Sequence, residues 1–250
     1  MPLREHLREA RHRTMLAAAG VAVAAVAGWM LYEPVFAALQ APIDAVAEAG
    51  RTAALNFAGV ATSFDIRIRV ALFTGVLLAS PWWLYQVWAF VAPGLTPREK
   101  RRTLAFFAAG VPLFLSGAAV AWYFLPHAVG LLTEFTPVGS VNFINAHTYL
   151  GFVMQLVLAF GIAFLLPLAM VALTSMGLVR ARTWGRGWRW AVLAVFTFAA
   201  IATPTPDALS MILLALPICA LYFGALGICV LLDRRAARRQ DALTAPESGS

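Results

Sequence analysis

Charge is confined to short islands along this chain. The segments 70–97, 103–132, 135–179, 190–206 and 208–232 contain no Asp, Glu, Lys or Arg. A helix rises about 1.5 Å per residue, so about 20 apolar residues cross a hydrocarbon core about 30 Å thick. Uncharged runs of this length need a membrane around them. The bulk numbers agree: 250 residues are 61% hydrophobic and only 12% charged, and the mean hydropathy is +0.78, outside the range of a soluble domain. The chain reads as an all-α integral membrane protein.

Six transmembrane helices are expected, at about 14–33, 70–92, 103–125, 149–176, 188–202 and 208–232, in one membrane domain covering 1–235. Residues 236–250 read as a disordered tail. Pro81, Pro112 and Pro167 fall inside expected spans. A proline there frees a carbonyl and bends the helix, so a bundle of kinked helices with a concave face is expected. The fifth run is short for a full crossing. Residues 3–13 place Leu3, Leu7 and Ala10 on one stripe, as in a short amphipathic helix lying at the headgroup level. Residues 36–65 and 127–146 read as structured loops on the opposite side of the membrane, and 203–207 as a tight turn joining the last two spans.

The 19 basic residues set the orientation. Four lie in the N-terminal segment, four in 98–102, four in 180–189 and four in the tail, leaving Arg51, Arg67 and Arg69 for the other side. The positive-inside rule then puts both termini in the cytoplasm, as an even number of spans requires. The net charge of +7 is explained by this distribution, and no nucleic-acid partner is inferred.

Several chemistries have no visible residues. No span interior carries the carboxylate that commonly marks an ion or proton path. The phosphate loop, the H-E-x-x-H metal motif and the G-x-S-x-G serine motif are all missing. Cys219 and Cys229 lie in the last apolar run without metal-site spacing and read as small core residues. No catalytic residue, metal site or cofactor is expected. Gln86 and Gln155 are the conspicuous polar residues within spans, suited to bonding between helices or to lining a polar groove.

The run Tyr85-Gln86-Val87-Trp88-Ala89-Phe90-Val91-Ala92-Pro93-Gly94-Leu95, followed by Glu99-Lys100-Arg101, resembles the signature of the TatC family, the polytopic core of the twin-arginine protein translocase. The N-terminal His6-Leu7-Arg8-Glu9-Ala10-Arg11-His12-Arg13 is similar to that family's HLxELRxR, with Ala10 in place of a leucine. Phe160-Gly161-Ile162-Ala163-Phe164 with Pro167 resembles its fourth-span motif. Thr203-Pro204-Thr205-Pro206-Asp207, then Ser210 and Leu214-Ala215-Leu216-Pro217, resembles its last hairpin.

The resemblance implies a multi-pass protein of the bacterial-type plasma membrane. It would bind twin-arginine signal peptides of folded cargo at the cytoplasmic face. It would also assemble with TatA- and TatB-like single-span proteins, and with further copies of itself as one option, for export driven by the proton gradient. Carried over by position, Glu9 and Glu99 would face the signal's arginines, with Arg11, Phe90, Pro93 and Leu95 shaping the site. Thr203, Thr205, Asp207 and Met211 would contact a partner helix.

Taken alone, Glu99 reads as compensation for Arg98, Lys100 and Arg101, and Glu9 as the helical partner of Arg13. Three positions depart from the family pattern. Leu165 and Phe223 stand where a glutamate is frequent, and Met211 where a glutamine is common. Two other readings compete: a small-solute transporter or channel, which the uncharged spans disfavour, and a divergent TatC-like scaffold that binds no signal.

Overall fold

The computed structural model describes residues 3–48, 53–59, 61–91, 97–133, 142–202 and 208–244. Nearly all of them are helical. α1 (Leu3–Met30) is unbroken from end to end. The expected separate surface helix at 3–13 is therefore the first part of the span helix itself. No Gly or Pro occurs between Leu3 and Ala19, and the Ala, Leu, Met and Arg there favour a continuous helix. A turn at Leu31, whose N–H donates to Ala27 O at 3.0 Å, leads into α2 (Tyr32–Glu48). Pro34 falls in the first turn of α2, where its missing N–H costs no helical bond.

β1 (Ala53–Asn56) precedes α3 (Thr62–Leu78) and α4 (Ser80–Val91). α3 and α4 together form one apolar crossing with a 60° bend between them. The sequence anticipates a kink at Pro81; the structure has a complete break at Ala79. Pro81 cannot donate to the carbonyl four residues back. The chain restarts instead with the N–H groups of Trp82 and Trp83 on Ala79 O, at 2.9 and 3.0 Å. The Trp83 indole N–H donates to Val76 O at 3.1 Å across the break.

α5 (Pro97–Thr133) has 37 residues. β2 (Asn142–Asn145) leads directly into α6 (Ala146–Ser175). Asn145 caps α6, its side-chain oxygen accepting from Thr148 N at 3.2 Å. Gly177, with φ of 73°, ends that helix in the left-handed conformation that glycine adopts without a Cβ clash. The short α7 (Ala181–Arg186), α8 (Trp188–Ala202) and the 37-residue α9 (Ala208–Thr244) complete the chain.

Among the described residues, four helices are long and apolar enough to cross a membrane, and the bent α3–α4 pair makes a fifth crossing. α8 supplies the sixth. Its 15 residues reach only about 22 Å at about 1.5 Å per residue, so either the bilayer thins there or the polar groups at its ends sit at membrane depth.

α6 runs through the middle of the bundle, with Leu150, Val153, Val157 and Phe160 buried against α5, α3 and α9. α1 lies against α3 almost backbone to backbone. A Cβ placed on Gly75 would lie 2.9 Å from both Ala25 N and Val21 O, and one on Gly28 would collide with the Ala71 carbonyl. Small residues on facing stripes allow this approach where no water is available to drive packing.

Two further differences from the sequence reading are local. The segments just before α3 and just before α6 meet as a parallel two-stranded pair, with Ala53 opposite Asn142 through to Asn56 opposite Asn145. Four-residue strands separated by about a third of the chain leave no periodicity to detect. α9 continues as helix to Thr244, through much of the segment expected as a disordered tail, because Ala236, Ala237, Arg238 and Arg239 are helix formers.

Candidate functional site

Where α1 begins and α4 ends, two helices contribute alternate rungs to one small surface. His6, Glu9 and Arg13 recur at intervals of three and four and share one face of α1; Gln86 and Phe90, four apart, share one face of α4. The His6 imidazole packs on the Phe90 ring at a centroid distance of 4.7 Å. The Arg13 Nη1 donates to Gln86 Oε1 at 3.2 Å. Between these two cross-helix contacts lies Glu9, whose Oε1 accepts from Arg13 Nε at 2.8 Å. The Glu9 side chain remains 37% exposed and that of Arg13 29%. A further tie holds the helices in register: the Trp82 indole donates to Leu16 O at 2.8 Å.

Gln86 is only 2% exposed. A buried amide needs a partner, and the Arg13 guanidinium is that partner. Of the two intramembrane glutamines, Gln86 is thus the structural one, whereas Gln155 is exposed.

The residues carried over from the family motif are distributed as follows. Glu9 and Phe90 belong to the same surface, linked through His6, Arg13 and Gln86. Arg11 is exposed on another face of α1. Glu99 sits in the first turn of α5, at the chain's return after α4. Pro93 and Leu95 lie outside the described residues, as do Thr203, Thr205 and Asp207. Met211, near the start of α9, is half-buried and packs against the central core, so only part of its surface is open to a neighbour.

Sequence reasoning did not include His6, Arg13 or Gln86 in the site. A signal for all three was present. His6 and Arg13 flank Glu9 at i−3 and i+4, and Gln86 lies at i−4 from Phe90; what was missing was the crossing of α1 and α4 that brings the two faces together.

A second concavity, of about 790 Å³, opens between α6, α7, α8 and α9 and is almost wholly apolar, with Leu165, Met170, Trp184, Phe198 and Tyr222 among its walls. Leu165 faces this space. α7 forms its floor. The Trp184 indole donates to Thr174 Oγ1 at 3.3 Å, the Tyr222 hydroxyl donates to Trp184 O at 2.7 Å, and Asp233 Oδ2 accepts from Ala181 N at 2.7 Å. Among the described residues, no group of His, Cys, Asp and Glu could hold a metal ion. Cys219 and Cys229 are unpaired and at least half-buried.

Comparison with known proteins agrees with this architecture. The profile of the family described as Sec-independent protein translocase protein (TatC) matches residues 5–217. The Sec-independent protein translocase protein TatC of Xylanimonas cellulosilytica is 57% identical over 240 residues, covering 96% of this chain and 87% of that one. The TatCy protein of Bacillus subtilis is 30% identical over 249 residues, covering 99% and 94%. A crystal structure described as the twin arginine translocase receptor TatC superposes with a TM-score of 0.81 at 28% identity, covering 91% of this chain and 99% of the other. The helical crossings and this agreement over nearly the full length lead to one conclusion: the chain belongs to the TatC family, the non-enzymatic, multi-pass core subunit of the Sec-independent protein translocase.

Proposed function

We propose that this chain recognises the paired arginines of a signal peptide at its charge-rich end, with Glu9 and Glu99 as the two acceptors. The observation that carries the reading is the position of Glu9: a half-exposed carboxylate, already bonded to a guanidinium, at a junction of two helices walled by Phe90. A guanidinium offers a planar fork of donors that a carboxylate accepts with both oxygens, and an ammonium does not. Arg98, Lys100, Arg101 and Arg102 surround Glu99 in sequence, so local negative charge is what would draw two more arginines to this surface. Arg11, Pro93 and Leu95 complete the site by position in the family motif.

The same reading puts the site and both termini in the cytoplasm of a plasma-membrane protein, following the basic islands. TatA- and TatB-like single-span proteins would dock on the last two spans near Thr203, Thr205, Asp207 and Met211, with the proton gradient powering transport. Leu165 and Phe223 make that docking rest on apolar packing rather than on buried carboxylates.

The test is export of a folded reporter bearing a twin-arginine signal in cells whose own copy is deleted. Glu9→Gln and Glu99→Gln should each cut export and signal crosslinking at least tenfold, and a signal with Lys-Lys should bind the unaltered chain more weakly than Arg-Arg. Wild-type export by both variants, or equal binding of the two signals, would remove the assignment. Failure of the unaltered chain to restore export would favour the scaffold reading.

A further inference from the structure

Glu9 is already occupied. Its Oε1 takes the Arg13 Nε at 2.8 Å, while Arg13 Nη1 reaches across to Gln86 Oε1 at 3.2 Å. Two features of this arrangement are chemically uneven. Arg13 gives the carboxylate a single N–H, although a guanidinium can give two in parallel. Its second bond goes to a neutral amide on another helix, which gives the guanidinium an anchor that does not involve Glu9. Gln86 is buried and held by α4, so that second acceptor stays where it is whatever happens to Glu9.

We infer that Arg13 is a built-in stand-in for a signal arginine: it occupies Glu9 in the unloaded receptor and is displaced when an external guanidinium binds, with Gln86 retaining it on the α4 side. This deepens the proposed function and rests on the assignment of Glu9 as an acceptor. The displacement has a direction because the incoming group can make two N–H bonds to the carboxylate where Arg13 makes one. An incoming lysine, with a compact ammonium and no fork, exchanges one single-bonded cation for another and gains little. Arg13 therefore raises the threshold that any cationic peptide must pass, and keeps Glu9 neutralised among the basic residues of this surface while no cargo is present.

A residue that leaves the site on binding has a signature different from one that touches the ligand. Removing it strengthens every ligand that had to displace it, by the same factor. An exposed helical ion pair of this kind holds its groups together by a factor of about two to five.

The experiment measures binding of fluorescent twin-arginine and twin-lysine signal peptides to the full chain in lipid nanodiscs. Arg13→Gln is expected to tighten both peptides by the same factor of about two to five, leaving their ratio unchanged. The variant that replaces both partners, Arg13→Leu with Gln86→Leu, leaves no buried amide unsatisfied and should give the same gain, so poor folding of Arg13→Gln alone does not decide the matter. Unchanged or weaker binding in the folded variants, or a gain confined to one peptide, would overturn the inference. Glu9→Gln in the same assay separates the two levels. Full binding by Glu9→Gln removes the proposed site itself; loss by Glu9→Gln without a gain in the Arg13 variants removes only the stand-in role.

Discussion

At the scale of single residues, the decisive contacts are made by groups whose chemistry is plain in the sequence and whose partners are not. Gln86 is conspicuous as an amide in an apolar run, yet the run alone does not say whether it meets lipid, a groove or another helix. The crossing of α1 over α4 turns it toward Arg13. Glu9 and Arg13 are legible as an i,i+4 pair, and the structure has that pair at 2.8 Å. The pairing of His6 with Phe90 is not legible, because nothing in either segment encodes their distance. Glycine is the other residue-scale determinant. A Cβ on Gly75 would press on the α1 backbone at Ala25 and Val21, and backbone cannot move aside as a flexible side-chain tip can. Gly75→Val should destabilise the chain by about 1–3 kcal/mol, the usual cost of overpacking. Thermal unfolding followed by monodisperse recovery from a detergent gel-filtration column would register it as a clear fall in midpoint.

Elements show where helix ends are set by other elements. α7 is only six residues long, too short to persist by its own propensity. It is fastened at its first residue by the Asp233 carboxylate of α9 and near its fourth by Tyr222 under the Trp184 carbonyl. This fastening closes one side of the apolar concavity that contains Leu165. Asp233→Ala removes an acceptor that bears charge, a loss of about 1.5–3 kcal/mol locally. The expected result is faster tryptic cleavage after Arg182 and Arg186, with the remaining cleavage pattern unchanged. The break between α3 and α4 shows the limit of sequence reading at this scale. Pro81 announces an interruption, but a gentle kink and a 60° turn begin from the same residue. Which one forms depends on whether the freed backbone groups find partners, here Ala79 O and the Trp83 indole bonded to Val76.

Across the whole molecule, the end of the bundle opposite the candidate site is tied together by contacts remote in sequence. Tyr149 at the start of α6 donates to Leu39 O in α2 at 3.1 Å, His147 Nε2 lies 3.2 Å from Asp65 Oδ2 on α3, and the two strands pair along their full length. These ties hold α2, α3 and α6 as one unit, while α1 and α4 at the candidate site meet through the His6–Phe90, Arg13–Gln86 and Trp82–Leu16 contacts. Tyr149→Phe would remove the buried hydrogen bond to Leu39 O and should cost about 1 kcal/mol, read as a lower thermal midpoint with signal binding unaltered. Such a result would separate a stabilising end of the molecule from the end proposed to bind the signal.

The amino-acid sequence by itself determined that this chain lies in a membrane, that six apolar segments cross it and that the basic residues gather in islands between them. Hydrophobic length and charge position act locally and need no fold to be read. Only the tertiary structure decided which polar groups meet. The strand pair, the sharp turn at Ala79 and the Arg13–Gln86 contact each depend on a donor finding an acceptor that its own segment does not specify. Where water is excluded, an unpaired polar group is expensive. That cost fixes the partners, but only once the packing of the helices has put them within reach.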